Sequence, residues 1–336
     1  MIPILHQNSL TMLINMKSAI EYNKIGVFEM EFILQLVLLC AGFVMLVKGA
    51  DWFVDGSSGI AAKFGIPQLV IGLTIVAMGT SAPEAAVSIT AALKGNADIT
   101  VGNIVGSNIL NILIILGISS VITSLAVAKS TMKVEIPFMM GVTLILLAMG
   151  YNGTISLLEG IILLVVFVIY LAYLFVLAKK DGGDEDEIKE LSVTKALVWT
   201  IVGLFLIVYG SNVTVDAATK IANVLGLSER FIGLTIVALG TSLPELFTSV
   251  SAARKGNADI AIGNIVGSNI FNILFVIGVS ASIIPVPFAT GFRFDTVVAV
   301  VAALILWLCP MKDKKLKRWA GVLMLISYGI YFAMIW

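Results

Sequence analysis

Apolar residues in this chain come in long unbroken runs, and polar residues gather in the short gaps between them. The runs are continuous rather than alternating, which excludes a transmembrane barrel. Many reach the roughly 20 residues that span a bilayer as a helix. The first runs from about Phe32 to Val54, and a second begins near Pro67. Three more cover about Asp98–Ile122, Ile136–Gly150 and Ile155–Leu177. A polar stretch follows, Lys179 to Glu190 (KKDGGDEDEIKE), the only strongly polar run in the chain. Beyond it lie runs at about Thr194–Val224, Phe231–Ala252, Ile260–Ile284, Thr296–Leu308 and Trp319–Ile335. The pattern predicts an all-α integral membrane protein of ten transmembrane helices, five on each side of a short solvated linker.

The two sets of five are copies. Ile71–Ile112 reads IGLTIVAMGTSAPE and, after a linking segment, KGNADITVGNIVGSNILNI. Ile232–Ile273 reads IGLTIVALGTSLPE and then KGNADIAIGNIVGSNIFNI. Roughly 30 of about 42 positions are identical at a constant offset of 161. So long a period means two homologous halves rather than a solenoid. Gly49 matches Gly210 and Asp55 matches Asp216 at the same offset, whereas Asp51 meets Asn212. Five is odd, so the second half inserts upside down, which predicts two inverted-topology five-helix repeats.

Charge supplies a direction. With the N-terminus outside, the inner connections hold Lys63, Lys129, Lys133, Lys179, Lys180, Lys189, Lys195, Arg254, Lys255, Lys312, Lys314, Lys315, Lys317 and Arg318. The outer ones, setting aside the N-terminal tail, hold only Lys94, Lys220, Arg230 and Arg293. By the positive-inside rule, both termini are expected outside and the linker inside a cell membrane. The expected divisions are an N-terminal extension (1–30), a first repeat (31–178), an acidic cytoplasmic linker (179–192) and a second, inverted repeat (193–336). Residues 1–30 lack the long apolar core and small-residue cleavage site of a signal peptide. The apolar run starts just after Met30, and Met30 or a nearby Met is read as the true start of the protein, the alternative being that the tail forms a short surface helix.

Composition agrees and removes alternatives. The chain of 336 residues is 59% hydrophobic and 12% charged, against about 25% charged in soluble domains. Net formal charge is zero, so nothing points to nucleic acid, and no obligate protein partner is indicated. Cys40 and Cys309 fall in or beside apolar runs and read as packed thiols, and the single histidine, His6, lies in the tail. No zinc site, haem site or other cofactor is expected. Lys48, Asp51 and Asp55 read as an ion-pair cluster near the inner end of the first helix, with the lining of an access path as the alternative.

Each copy places one acid in an apolar run. No charge occurs from Ile71 to Pro83 before Glu84, and none follows until Lys94. A carboxylate at such depth costs about 3 kcal/mol on insertion scales. Two of them, Glu84 and Glu245, in identical contexts of inverted halves, meet near the midplane and predict a cation site. Pro83 and Pro244 lack the N–H that would bond the carbonyl four residues back, at Gly79 and Gly240. Carbonyls near Ala77–Thr80 and Ala238–Thr241 are thereby freed toward a cation. Thr80 and Thr241 lie one turn before each acid, on its face, and Ser81 and Ser242 add oxygens. Asn103, Ser107 and Asn111 follow an i, i+4, i+8 face, repeated by Asn264, Ser268 and Asn272. Carboxylates, hydroxyls, amide oxygens and carbonyls are hard donors, suited to Ca²⁺ with its six to eight oxygens rather than to transition metals. Two carboxylates neutralise one divalent ion, or Na⁺ ions, or protons, which is the requirement for antiport.

GTSxPE paired with GNxxGSNxxN, twice, resembles the repeats of the calcium/cation antiporter superfamily, and most closely its prokaryotic sodium/calcium exchanger branch. The resemblance covers the chain from Met30 onward. It implies ten helices in two inverted groups, with Na⁺ exchanged for Ca²⁺ by alternating access as the first and sixth helices slide over the rest. Glu84 and Glu245 would be shared Ca²⁺/Na⁺ ligands, and Thr80 and Thr241 would supply oxygens to Ca²⁺. Ser81, Ser242, Ser107 and Ser268, with the carbonyls of Ala77 and Ala238, would serve Na⁺. Asn111 and Asn272 would complete the centre. Some exchangers carry Asp where this chain has Asn272. Proton-coupled members tend to carry Glu in a GNxxE version of this helix; Val105 and Val266 flank that region here and no acid is present, which favours Na⁺ over H⁺. The expected function is Na⁺/Ca²⁺ antiport, with Ca²⁺ and Na⁺ as substrates and the lipid bilayer as surroundings. A cation/H⁺ antiporter using the same site is the alternative. An open channel fits inverted halves poorly, and no protease or metal-hydrolase motif is present.

Overall fold

The computed structural model describes residues 3–180, 191–226 and 238–335. Helix α1 spans Pro3–Phe64, α2 Gln68–Thr80 and α3 Ala82–Leu93. Then come α4 (Ile99–Ile122), α5 (Thr131–Asn152) and α6 (Leu157–Lys180). The second half holds α7 (Val193–Val224), α8 (Ala238–Thr241), α9 (Leu243–Arg254), α10 (Ala258–Ile283), α11 (Thr290–Leu308) and α12 (Arg318–Ile335). Among the described residues eight helices are long and apolar enough to cross a membrane, or nine if α2 and α3, bent by 50°, form one span. The expected span at 231–252 falls partly on 227–237, outside the described residues, as does most of the expected linker, 181–190.

The N-terminal stretch is helical and runs on into α1. Helix α11 starts at Thr290, two turns before the expected Thr296. An all-α chain was expected, yet four two-residue strands form: β1 (Leu125–Ala126), β2 (Thr154–Ile155), β3 (Val286–Pro287) and β4 (Lys315–Leu316). They are too short to leave an alternating pattern in the sequence. β1 pairs antiparallel with β4 (Leu125 opposite Leu316), and β2 with β3 (Ile155 opposite Val286). The offset of 161 turns one pairing into the other. Because α5 runs from just after β1 to just before β2, the two ribbons lie at opposite ends of that helix.

Helices α4 and α10 form the centre, with 78% and 94% of their most apolar stretches buried, against 17–39% for the other long helices. The outer helices turn large side chains such as Leu158, Ile201 and Phe205 outward, as a lipid-facing surface requires. Close approach of helix backbones depends on glycine. A methyl group on Gly267 of α10 would meet the Leu73 carbonyl of α2 at 2.7 Å, and one on Gly263 would meet Gly72 Cα at 3.1 Å. In the same way α1 lies along α7, where a methyl on Gly49 would meet the Gly203 carbonyl at 2.9 Å. The Lys48–Asp51–Asp55 cluster is corrected in one member. Both acids pair with Lys255, from the turn after α9, and Lys48 is exposed. That partner is about 200 residues away in sequence, beyond the reach of local spacing.

Candidate functional site

The site grows from two helix breaks. At Ser81 (φ −81°, ψ 7°) and Ser242 (φ −92°, ψ 5°) the backbone leaves helical geometry. Pro83 and Pro244 then fall in the first turn of α3 and α9, where a missing N–H is harmless. Each glutamate therefore sits in the first turn of a new helix, at the positive end of its dipole, while α2 and α8 end at the same point with their carbonyl ends. Such paired half-helix ends are how transporter sites present charge to ions in mid-membrane.

Both glutamates are fully buried, and among the described residues no cationic side chain pairs with either. Each is held from the opposite half. Ser81 Oγ donates to Glu245 Oε1 at 2.8 Å, and Ser242 Oγ donates to Glu84 Oε1 at 3.2 Å. Ser107 Oγ also reaches Glu84 Oε1, at 3.4 Å, and lies 3.3 Å from Ser242 Oγ. The second oxygen of each carboxylate, Oε2, is buried with no partner.

The asparagines divide into clamps and open acceptors. Asn103 Nδ2 donates to the Glu84 carbonyl (3.3 Å) and Ser88 Oγ (2.9 Å), and Asn264 Nδ2 does the same for Glu245 (3.4 Å) and Ser249 (2.9 Å). These bonds bolt each glutamate-bearing helix to its neighbour. Across the halves Asn108 Nδ2 donates to the Asn269 carbonyl at 3.2 Å, and Asn269 Nδ2 returns the bond to the Asn108 carbonyl at 3.1 Å. Asn111 Nδ2 donates to Asn269 Oδ1 (3.0 Å) and Asn272 Nδ2 to Asn108 Oδ1 (3.1 Å). The amides of Asn111 and Asn272 are thus pinned by nitrogen, leaving both Oδ1 atoms buried without a donor. Each of these two residues also opens a π-helical segment, Asn111–Leu116 and Asn272–Ile277, a distortion frequent at functional sites.

The structure accounts for the remaining expected residues as follows. Thr80 is buried, its Oγ1 within donating reach of Val76 O (3.0 Å), Ala77 O (3.3 Å) and Asn264 Oδ1 (2.9 Å). Ser268 Oγ donates to Ala77 O at 3.3 Å, and the Ser81 N–H reaches the same carbonyl at 3.0 Å. The Ala77 carbonyl is therefore already engaged. Gly240, freed by Pro244, accepts from Ser211 Oγ of α7 at 2.6 Å. Thr241 ends α8 half-buried, and Ala238 is the first described residue of that helix. Ser88, Ser249, Asn108, Asn269 and Ser211 were not among the expected residues. The offset of 161 pairs the first four and would have exposed them. Ser211 answers Ala50, so the repeat carries no signal for it.

Two carboxylate oxygens and two amide oxygens, all buried and all lacking a donor, make a two-fold set. A buried acceptor without a partner costs about 1–3 kcal/mol, and oxygens of these kinds are the donors a hard cation takes. The chemistry of this donor set therefore fits Ca²⁺ or Na⁺ as cargo.

Known proteins resemble the chain over most of its length. The family model described as sodium/calcium exchanger protein matches residues 34–176 and 195–336. The inner membrane protein YrbG of Escherichia coli (strain K12) is 35% identical, over 90% of this chain and 97% of its own. The sodium/calcium exchanger MaX1 of Methanosarcina acetivorans is 32% identical over 89% and 97%. A solved structure of the sodium-calcium exchanger NCX_Mj superposes with a TM-score of 0.81 at 36% identity, covering 90% of this chain and 99% of that one.

Proposed function

The chain belongs to the sodium/calcium exchanger family, and from that membership we propose that it exchanges Na⁺ for Ca²⁺ across the cell membrane by alternating access. The carrying observation is the donorless set of Glu84 Oε2, Glu245 Oε2, Asn111 Oδ1 and Asn272 Oδ1. Ca²⁺ would take both carboxylates and both amide oxygens, joined by the Thr80 and Thr241 hydroxyls. Na⁺ would be served by the carboxylates with Ser81, Ser107, Ser242 and Ser268 and the carbonyls of Ala77 and Ala238, with Na⁺ taking the place of the Ser268 hydroxyl on the Ala77 carbonyl. Opposite loads on shared acids prevent both from riding together, which couples one gradient to the other.

The proposed frame is ten helices in two inverted repeats, 31–178 and 193–336, with 1–30 preceding them and 179–192 between. The crossed strand pairs support it. β3 is the repeat counterpart of β1 yet pairs with β2, at the far end of α5. The proposed orientation has both termini outside and the linker inside. Its support is that the β1–β4 ribbon joins two lysine-rich connections, containing Lys129 and Lys133 on one side and Lys312, Lys314, Lys315 and Lys317 on the other.

Vesicles loaded with Na⁺ and given radioactive Ca²⁺ outside provide the test. Uptake is expected to need the outward Na⁺ gradient and to persist when an ionophore collapses the pH gradient. Uptake that follows the pH gradient instead replaces this reading with cation/H⁺ antiport.

A further inference from the structure

The two halves differ at the ends of α1 and α7. Near its C-terminal end α1 is tied to the turn after α9. Lys255 Nζ lies 2.7 Å from Asp55 Oδ1 and 3.7 Å from Asp51 Oδ1, and donates to the Asp51 carbonyl at 2.7 Å. Ser251 Oγ donates to Asp51 Oδ1 at 2.7 Å, and Asn257 Nδ2 donates to Ser58 Oγ at 3.0 Å. The offset of 161 supplies a counterpart for every member: Lys94, Asp216, Asn212, Thr90, Asn96 and Thr219. The two turns even share their shape, with Gly95 at φ 80° and Gly256 at φ 82°.

Yet none of the counterpart bonds forms among the described residues. Lys94 and Asp216 are both exposed, and neither forms an ion pair among the described residues. The Thr219 hydroxyl, which answers the acceptor Ser58, is buried with no partner. Thr90, Lys94 and Asn96 instead line an open cleft of about 420 Å³. One end of the α1–α7 pair is fastened, and the equivalent end carries most of the same residue types unjoined among the described residues.

We propose that Lys255 with Asp55 and Lys94 with Asp216 are alternating latches, one holding each end of the α1–α7 pair. The inference rests on the alternating-access reading. The glycine seam between α1 and α7 lets the two move as a unit. A shift that frees α1 from Lys255 carries the end of α7 into the cleft, where Lys94 meets Asp216 and Asn96 meets Thr219. In the proposed orientation the fastened end is the inner one, so the structure is the outward-facing state. Asp51 gives Lys255 a second carboxylate, whereas its counterpart Asn212 gives Lys94 none. The inner latch is therefore the stronger, and the resting balance favours the outward-facing state. These four residues position the helices and touch no ion in transit.

The test is cross-linking of Lys94→Cys/Asp216→Cys, with Cys40 and Cys309 replaced by serine, by a short bifunctional thiol reagent in proteoliposomes. Adding Lys255→Gln is expected to raise the cross-linking rate several-fold, and Lys255→Arg is expected to leave it slow. A rate unchanged or lowered by Lys255→Gln overturns the latch. Na⁺-driven Ca²⁺ uptake with an insensitive cross-link overturns the latch alone and leaves antiport standing. A sensitive cross-link in vesicles whose uptake follows protons overturns Na⁺ coupling alone and supports the latch.

Discussion

Glu84→Gln and Glu245→Gln are each expected to abolish Ca²⁺ exchange while leaving the protein at least as stable as the parent. Two unit charges 4 Å apart contribute about 4 kcal/mol at the effective dielectric of a protein, and each 1.4 kcal/mol is about tenfold in affinity. Losing one carboxylate should therefore weaken Ca²⁺ binding on the order of a thousandfold. Stability moves the other way. Glutamine preserves the volume and an oxygen for Ser242 or Ser81 to donate to, while removing a buried charge that no cationic side chain among the described residues neutralises. An unpaired buried charge is costly, so taking it away is neutral or stabilising. Transport by radioactive Ca²⁺ uptake and thermal unfolding in detergent check the two halves of this statement. Wild-type transport in either variant sinks the site assignment.

The second large effect belongs to residues that bind no ion in this account. Asn108→Ala removes a donor to the Asn269 carbonyl and the acceptor of Asn272 Nδ2. Two buried groups lose their partners, at about 1–3 kcal/mol each, so the unfolding free energy should fall by about 2–6 kcal/mol. With Asn272 no longer pinned, its Oδ1 loses its fixed direction and Ca²⁺ exchange should fall as well. Asn269→Ala, which releases Asn111 in the same manner, is expected to match it. Melting of Asn108→Ala at the parent's temperature would show that the cross-half clamp contributes nothing.

The contrast between these two predictions marks what the sequence makes legible. A glutamate in the middle of an apolar run is visible because charge and lipid are incompatible, and its duplication at a fixed offset removes the chance of accident. Asn108 is hidden by its own neighbourhood. It follows Ser107 directly, so it lies off the face traced by Asn103, Ser107 and Asn111. Only the crossing of α4 and α10 brings it to Asn269. Lys255 is hidden for a related reason: nothing local ties it to Asp51 and Asp55, and the turn that carries it is placed by α9 and α10 together. Likewise the carbonyl freed at Gly240 was predictable from Pro244, but its engagement by Ser211 was not, since Ser211 comes from α7 and answers an alanine in the other half. Backbone breaks and charged outliers are local events that sequence records. The donors that answer them arrive from helices whose approach is set by glycine contacts distant in the chain.

Equilibrium Ca²⁺ binding to the purified protein, with Na⁺ as competitor, tests the central claim that one pair of acids carries both loads. Saturable Ca²⁺ binding, displaced by Na⁺ and lost in the doubly substituted Glu84→Gln/Glu245→Gln protein, is the predicted result. Ca²⁺ binding that survives the double substitution, or that Na⁺ fails to displace, would contradict it.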